Sequence, residues 1–207
     1  MIISRKHRFI FVAIPKTGTH SVRRALREHM GPDDLEQVKL FVDKTFPMPE
    51  LAKLGHGHIS LAQVRPFLDE EDFKSYFKFA FVRNPFDRFV SFCAFMMRDG
   101  DAFERDPKAV MRHILFGAPP MRHILFQPQH FFVTDKGGKL LSDQIGRVEE
   151  MQQSYDAICA KIGIPTMALE KANLSRRGDY RQYYDQQLID GVARLYGEDL
   201  RLFGYDF

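Results

Sequence analysis

An unbroken apolar run, Phe9-Ile10-Phe11-Val12-Ala13-Ile14, leads directly into Pro15-Lys16-Thr17-Gly18-Thr19-His20-Ser21. A short apolar run without alternation predicts a strand that is buried on both faces, as in a parallel sheet. After the turn, apolar residues recur at helical spacing, which predicts a helix from about Thr19 to Met30. Gly31-Pro32 would end that helix.

The same order of elements recurs later in the chain. Lys78-Phe79-Ala80-Phe81-Val82 predicts a second buried strand, which ends in Arg83-Asn84-Pro85. Proline suits the first turn of a helix, and the apolar stripe from Phe86 to Met97 predicts that helix. Two strand–turn–helix units indicate an α/β fold: a P-loop-like three-layer arrangement with a mainly parallel sheet flanked by helices. Both turns would then lie at the carboxyl edge of the sheet, where ligands bind.

The remaining segments have weaker patterns. A helix capped by Ser60 is expected to run to about Phe67, and a second helix to begin at Asp69. Expected strands are 39–42, 131–134, 139–141 and 144–148, with a turn at Lys136-Gly137-Gly138 between the second and third. Helices are expected over 149–162 and from 188 to about 196, with Tyr205-Asp206-Phe207 as a docked tail.

Composition indicates an ordinary soluble globular protein with one domain over 1–207. Of its 207 residues, 44% are hydrophobic and 28% are charged, and the net charge is +3, which does not favour nucleic-acid binding. No apolar run reaches the roughly 20 residues that a membrane span needs. Met1–Arg8 is too short and too charged for a signal peptide, so we expect a cytoplasmic protein. Cys93 and Cys159 are expected to be buried free thiols.

The first turn has the features of a phosphate-binding loop. Gly18 permits a tight turn, and the unpaired N–H groups of a helix start attract anions. Lys16 adds a positive charge, and hydroxyl donors stand nearby. The candidate ligands of the anion are Pro15, Lys16, Thr17, Gly18, Thr19, His20 and Ser21. The Walker A spacing is absent, and an ordinary strand–helix turn with a solvated lysine is the alternative.

The second turn offers another possible anion site. Arg83 stands at the end of a strand and Ser91 lies two turns into the following helix, so both can donate hydrogen bonds to a phosphate. The alternative is a structural ion pair between Arg83 and Asp87. The residues alone do not decide between the two.

Together, the two segments resemble the PAPS-dependent sulfotransferases, where PAPS is 3′-phosphoadenosine-5′-phosphosulfate. The resemblance implies that the first loop binds the 5′-phosphosulfate and that Arg83 and Ser91 bind the 3′-phosphate. Gly55-His56-Gly57-His58 is similar to the acceptor side of the uronyl 2-O-sulfotransferases of heparan and chondroitin. Segments 143–150 and 199–207 also look like the carbohydrate branch. The implied reaction moves a sulfuryl group from PAPS to a hydroxyl or amine, with a saccharide as the implied acceptor and no metal.

Three residues are candidates for catalysis. The resemblance makes His56 the first candidate for general base, with His58 as its orienter or substitute, because a histidine with a pKa near 6.5 suits proton transfer. Lys16 would stabilise the negative charge that builds on the bridging oxygen of the leaving nucleotide. The alternatives for the histidines are two solvated loop residues or a metal site, although no matching third ligand is evident.

Other basic residues have weaker roles. Arg176 and Arg177 lie in a basic loop that would add charge near the 3′-phosphate, and a solvated turn is the equal alternative. Residues that can line an acceptor groove are Lys39, Arg98, Arg112, Arg122 and His130. The hexapeptide Met-Arg-His-Ile-Leu-Phe occurs at 111–116 and again at 121–126, and no function is assigned to it.

Two other functions compete with sulfuryl transfer. A small-molecule kinase with a variant phosphate loop would need carboxylates that hold Mg²⁺, whereas the second strand ends in Arg83. A non-catalytic nucleotide-binding module is the other candidate. Lys16 and the two loop histidines argue against it, since binding alone does not need a base.

Overall fold

The computed structural model describes residues 1–39, 42–169 and 178–207. The strands are β1 (Ile2–Ser4), β2 (Phe9–Val12), β3 (Leu35–Glu36), β4 (Phe77–Val82) and β5 (Gln144–Arg147). The α-helices are α1 (Thr19–Arg27), α2 (Pro49–Ala52), α3 (Leu61–Val64), α4 (Glu70–Ser75), α5 (Pro85–Met96), α6 (Ala102–Arg105), α7 (Pro107–Arg112), α8 (His130–Val133), α9 (Met151–Ile162), α10 (Gln186–Leu195) and α11 (Gly197–Phe203).

The chain forms two compact units. The described residues of the first unit lie in Met1–Val82 and Gln129–Ala172, and those of the second lie in Arg83–Pro128 and Asn173–Phe207. The first unit therefore contains the whole sheet, with α1 to α4, α8 and α9. The second unit is helical and contains α5, α6, α7, α10 and α11.

The sheet of the first unit has five strands in the order β3-β1-β2-β4-β5. Strands β2, β4 and β5 run parallel, with Phe11 opposite Phe79 and Ala80 opposite Ile145. Strand β1 runs antiparallel to both of its neighbours. This arrangement confirms the predicted α/β fold with its mainly parallel central sheet. The sequence did not predict β1 or β3, which are too short to show a periodic pattern.

Alternate residues of the central strands build the core of the first unit. Phe9 and Phe11 of β2 and Phe79 and Phe81 of β4 are buried together with residues of α1 and α9. The Phe11 and Phe79 rings stack with their centroids 5.3 Å apart, and burial of each such ring contributes roughly 1.5–3 kcal/mol. The residues between them, such as Ile10, are buried as well. Burial of both faces explains why these strands read as continuous apolar runs.

The short helices before β4 follow the predicted signals. The Ser60 hydroxyl accepts a hydrogen bond from the Gln63 N–H, and the Gln63 side chain accepts one from the Ser60 N–H, which forms a capping box. The α-helix then tightens into a 3₁₀ turn at Arg65–Phe67. Helix α4 follows Asp69, as predicted.

The predicted strand at 131–134 is wrong, because this segment forms α8. The Thr134 N–H and hydroxyl both donate to the His130 carbonyl, which closes one helical turn. Phe132 and Val133 are both buried whereas Phe131 is exposed, so burial does not alternate as it does in a strand. Residues 139–141 contribute only an isolated bridge, Thr134 to Leu140, so that strand is wrong too.

The turn between these segments is present, because the Asp135 carboxylate accepts from the N–H groups of Gly137 and Lys139. The predicted strand and helix that follow it appear as β5 and α9. The predicted strand at 39–42 includes Leu40 and Phe41, which lie outside the described residues. Beside them, Val38 and Lys44 form an isolated bridge.

The core of the second unit is aromatic. The predicted stripe of α5, which includes Phe86, Phe89 and Phe92, is buried with residues of α7 and α10. The Asn84 side chain donates to the Asp206 carbonyl at 2.8 Å, and the Phe207 ring lies 5.0 Å from that of Phe86. The C-terminal tail is therefore docked, as predicted.

One residue of α5 departs from the apolar stripe. Arg88 is only 2% exposed, and its guanidinium donates to the carbonyls of Leu125 and Gln127 at 3.2 and 2.6 Å. These bonds compensate for the burial of the charge. Burial also lowers the pKa of Arg88.

Both cysteines are buried free thiols, as predicted. In the part of the chain that the structure describes, no helix is long and apolar enough to cross a membrane.

Candidate active site

The loop between β2 and α1 makes a tight turn with two residues in the left-handed region. Lys16 has a φ of 65° and Gly18 a φ of 68°. Glycine adopts this conformation without strain, whereas a lysine there costs roughly 1–2 kcal/mol. Thr17 between them is fully buried, and its hydroxyl donates to the Ile14 carbonyl at 2.9 Å. The rest of the loop therefore holds Lys16 in a strained conformation.

No residue of α1 neutralises the positive end of the helix dipole at its N-terminus. Its N-cap is Gly18, which has no side chain to accept from the first turn, and that turn contains no acidic residue. The last turn carries Arg24 and Arg27 instead. A helix start of this kind presents N–H groups and a positive dipole to an anion.

The pKa of His20 reports the electrostatic character of this loop. Burial lowers that pKa first, and the positive charges of Arg23, Lys16 and Arg27 lower it further. His20 is therefore neutral at neutral pH. Lys16 belongs to the loop itself, and its positive charge favours a bound phosphate or sulfate there.

Met151, which sequence reasoning missed, lies against the loop. A Cβ atom built on Gly18 would overlap the Met151 Cε atom. Met151 is the first residue of α9, far from the loop in sequence. No local signal in the sequence identifies this contact, since it depends on how α9 returns to the sheet.

The structure connects the second histidine of Gly55-His56-Gly57-His58 to Ala13, the residue that follows β2 and precedes the donor loop. His58 Nδ1 lies 2.7 Å from the Ala13 carbonyl oxygen. A carbonyl oxygen only accepts, so Nδ1 carries the proton and Nε2 of the neutral ring carries the lone pair. Burial lowers the pKa of His58 to about 3. His58 is therefore a neutral imidazole with a fixed tautomer at physiological pH.

His56 has a different environment. Its ring centroid lies 6.2 Å from that of His58, and burial lowers its pKa as well. Its Nδ1 atom is buried without a hydrogen-bond partner in the described part of the chain. A buried nitrogen of this kind indicates a group that another molecule can satisfy.

The residues predicted for the 3′-phosphate belong to the second unit. Arg83 Nε donates to the Asp87 carboxylate at 2.6 Å, so the ion pair considered from the sequence is present. Ser91 is buried in α5. Asn84 caps α5, because its side chain accepts from the Phe86 N–H at 2.9 Å.

The other predicted site residues are dispersed. Arg176 and Arg177 lie outside the described residues. Lys39 pairs with Asp43, Arg112 pairs with Asp185, and the Arg98 guanidinium lies over the Phe95 ring. Within residues 1–39, 42–169 and 178–207, no group of three or more His, Cys, Asp or Glu residues is arranged to hold a metal ion.

In an α/β sheet, a strand such as β2 that leads into a helix start suits the binding of a phosphate- or sulfate-bearing ligand. A family model described as a sulfotransferase family matches residues 1–96. The match includes the donor loop, the histidine segment and residues 83–91, and it confirms the resemblance to the PAPS-dependent sulfotransferases. The match covers 96 of the 207 residues, and it supports a PAPS-dependent sulfotransferase enzyme. Neither the curated proteins nor the solved structures include a significant match to the chain.

Proposed function

We propose that the protein transfers the sulfuryl group of PAPS to a hydroxyl of a saccharide, with a histidine of the 55–58 segment as general base. The observation that carries this proposal is the hydrogen bond from His58 Nδ1 to the Ala13 carbonyl. It ties the histidine segment to the strand that leads into the donor loop. A base oriented through its other ring nitrogen is the usual arrangement of an activated pair.

On the donor side, the 5′-phosphosulfate binds at 15–21. The N–H groups at the start of α1 and the Lys16 ammonium supply the positive charge. The pKa of His20 is lowered, so its ring is neutral and adds a hydrogen-bonding nitrogen at the same loop. Lys16 also acts on the reaction, since its charge stabilises the leaving oxygen more as the bond to sulfur breaks.

We assign the base to His58, with His56 as the second candidate. Its Nε2 lone pair accepts the proton of the acceptor hydroxyl as the new oxygen–sulfur bond forms. The bond from sulfur to the bridging phosphate oxygen breaks, and adenosine 3′,5′-bisphosphate leaves. Alignment of the acceptor oxygen, the sulfur and the leaving oxygen supplies much of the remaining acceleration.

The low pKa of His58 belongs to the protein without its donor. Burial lowers this pKa most, and the amino group of Met1, Arg23 and His56 all lower it further. The negative charges of PAPS have the opposite effect and raise the pKa of a nearby histidine. Donor binding thus makes His58 a stronger base at the step that needs one.

The resemblance further implies that Arg83 and Ser91 bind the 3′-phosphate, with added charge from Arg176 and Arg177. The Arg83 guanidinium then exchanges its contact with Asp87 for the phosphate. The ion pair is only partly buried, and pairs of this kind are worth roughly 0–1 kcal/mol. A phosphate with two negative charges is a stronger partner than a single carboxylate.

The saccharide acceptor follows from the similarity of Gly55-His56-Gly57-His58 to the uronyl 2-O-sulfotransferases. The unpartnered His56 Nδ1 atom suits contact with a sugar hydroxyl, which both donates and accepts. A cytoplasmic location and a single functional domain over 1–207 are expectations that accompany this proposal.

Calorimetry with adenosine 3′,5′-bisphosphate in the absence of Mg²⁺ tests the donor. Binding that is tighter than that of ATP supports the proposal, whereas binding of ATP that depends on Mg²⁺ supports a kinase. Absence of bisphosphate binding by folded protein contradicts the proposal.

Labelled PAPS with a panel of acceptors tests the reaction. The panel contains a desulfated uronic-acid polysaccharide, neutral saccharides, a tyrosine peptide and a lipid alcohol. Transfer to the first supports the saccharide assignment, and transfer only to the peptide or the lipid overturns it. Tight donor binding without any transfer would indicate a non-catalytic module.

A further inference from the structure

A buried arginine on α1 contacts the histidine segment directly. Arg23 is only 3% exposed. Its Nη1 atom donates to the Gln37 carbonyl at 2.9 Å, and Nη2 donates to the Gly57 carbonyl at 3.1 Å. The helix that begins at the donor loop therefore holds the peptide that joins Gly57 to His58.

A buried carboxylate neutralises this arginine. Arg23 Nη1 lies 3.4 Å from Glu36 Oε1, and the Glu36 side chain is 1% exposed. Arg27 binds the same carboxylate through two nitrogens, at 2.9 to 3.1 Å, and Lys44 lies 3.5 Å from it. Burial lowers the pKa of Arg23 to about 10, so the guanidinium stays charged at neutral pH. Glu36 keeps two cationic partners if Arg23 is replaced.

Gln37 extends the same contacts to the first histidine. Its side-chain nitrogen donates to the carbonyls of Leu51 and His56 at 2.7 and 2.9 Å. Its backbone carbonyl accepts from Arg23, and the amino nitrogen of Met1 also donates to the Gln37 and Gly57 carbonyls, at 3.1 and 2.5 Å. The two peptides on either side of Gly57 are thus both fixed by hydrogen bonds.

The glycine between the histidines is required by this close approach. A Cβ atom on Gly57 would overlap the Gln37 carbonyl oxygen and would lie 2.8 Å from Arg23 Nη2. The backbone carbonyl cannot move away as the end of a flexible side chain can. Any larger residue would push the segment away from Arg23.

We infer that Arg23 is a positioning residue for the base, which couples the helix of the donor loop to the peptide that carries His58. The inference depends on the proposed role of the histidine segment in catalysis. His58 reaches the Ala13 carbonyl from one side while Arg23 holds its preceding carbonyl from the other. Misplacement of a catalytic group by about 1 Å costs on the order of 100-fold in rate.

A pair of matched variants separates positioning from the stability of the ion-pair cluster. Arg23→Gln and Arg27→Gln each remove one positive charge that contacts Glu36, but only Arg23 donates to the segment. For Arg23→Gln we expect kcat to fall about 100-fold with the affinity for adenosine 3′,5′-bisphosphate retained. For Arg27→Gln we expect the native kcat. Equal losses in both variants would overturn the inference.

A second variant, Arg23→Lys, keeps the inference testable if Arg23→Gln does not fold. It keeps the charge beside Glu36 but lacks the fork that reaches two carbonyls at once. We expect native thermal stability and an intermediate kcat. A native kcat in Arg23→Lys would show that the charge alone matters and would overturn the positioning role.

Nitrogen-15 NMR of the histidine rings tests the inference without any turnover. In the native protein, His58 should show the Nδ1–H tautomer and no titration down to about pH 4. In Arg23→Gln, we expect a mixture of tautomers, while Arg27→Gln stays native. An unchanged His58 spectrum in Arg23→Gln contradicts the inference even if the transferase proposal holds. Absence of any PAPS-dependent transfer contradicts the transferase proposal but leaves this measurement valid.

Discussion

The two junctions β2 to α1 and β4 to α5 both join a strand of the sheet to a helix. They differ in how the positive end of the helix is neutralised. At the first, Gly18 provides no cap and the first turn has no acidic residue. At the second, Asn84 caps the Phe86 N–H and Asp87 lies in the first turn. One helix start therefore offers its positive end to an outside anion, while the protein itself satisfies much of the other.

The difference predicts unequal roles for the two junctions. The loop at 15–21 contains no carboxylate of its own. An anion that binds at Arg83 has to compete with Asp87. Variants of the first junction, and of the histidine tied to it, should therefore have larger effects than variants of the second.

The largest effect is expected for the histidine bound to Ala13. His58→Ala should lower kcat about 100- to 10,000-fold, since general-base catalysis supplies that much. Affinity for adenosine 3′,5′-bisphosphate should be retained in calorimetry, and His56→Ala should lose less. A greater loss in His56→Ala than in His58→Ala would move the base to His56.

The pH profile of kcat/KM for the native enzyme sharpens this assignment. A base works only when it is unprotonated, so the rate falls as the pH falls through the pKa of the free enzyme. The pKa of His58 is about 3. If His58 is the base, kcat/KM should therefore fall only near pH 3. A fall in rate that begins near pH 6 and disappears in His56→Ala would contradict the assignment.

The next effect is expected for Lys16. Lys16→Met keeps an unbranched side chain that is one atom shorter and removes its charge, and kcat should fall about 100- to 1000-fold because the leaving oxygen loses its stabilisation. Steady-state kinetics with PAPS give the measurement. Lys74→Met serves as the control, because Lys74 pairs with Glu70 on the exposed face of α4. Similar losses in both variants would mean that general charge, rather than position, explains the result.

A smaller and more informative effect is expected at the second junction. If Arg83 binds the 3′-phosphate, Arg83→Ala should weaken bisphosphate binding about 10- to 100-fold. Asp87→Asn should strengthen it about threefold, because competition for the guanidinium is removed. If the ion pair is only structural, both variants lower stability and leave the affinity unchanged in calorimetry.

The smallest effect is expected for the cap of α5. Asn84→Ala should cost about 1 kcal/mol of the free energy of unfolding, which corresponds to a shift in Tm of roughly 2–4 °C. Thermal unfolding gives the measurement. Asn84→Asp keeps the accepting oxygen but loses the bond to the Asp206 carbonyl, so the loss that remains in Asn84→Asp reports the tail contact rather than the cap. An unchanged Tm in Asn84→Ala would mean that the two helix starts do not differ in the way described.

The repeated hexapeptide shows why part of the fold could not be predicted from the sequence. In the first copy, Met111 is fully buried at the end of α7 and a π-helical turn follows over His113–Gly117. In the second copy, Met121 is 56% exposed and a 3₁₀ turn forms at Ile124–Phe126. Identical residues adopt two conformations, so contacts with the rest of the unit decide. Long buried runs such as β4 depend less on such contacts and were predicted correctly.

The candidate site likewise has parts that the sequence predicts and parts that it does not. The donor loop and the histidine segment are contiguous motifs, and the sequence identifies them. Contacts made by Ala13, Arg23 and Met151 join residues far apart in the chain, and no motif marks them. A partial signal existed, since Arg23 adjoins the apolar residues Val22, Ala25 and Leu26 of α1, where a charge needs a buried partner.

The left-handed backbone at Lys16 has a consequence for engineering. Glycine would relax that conformation and gain roughly 1 kcal/mol, so a selection for heat resistance without an activity assay should replace this lysine early. Variants selected in this way would be thermally more stable but would have lost activity. Libraries aimed at robustness should therefore keep codon 16 fixed and seek their gains elsewhere.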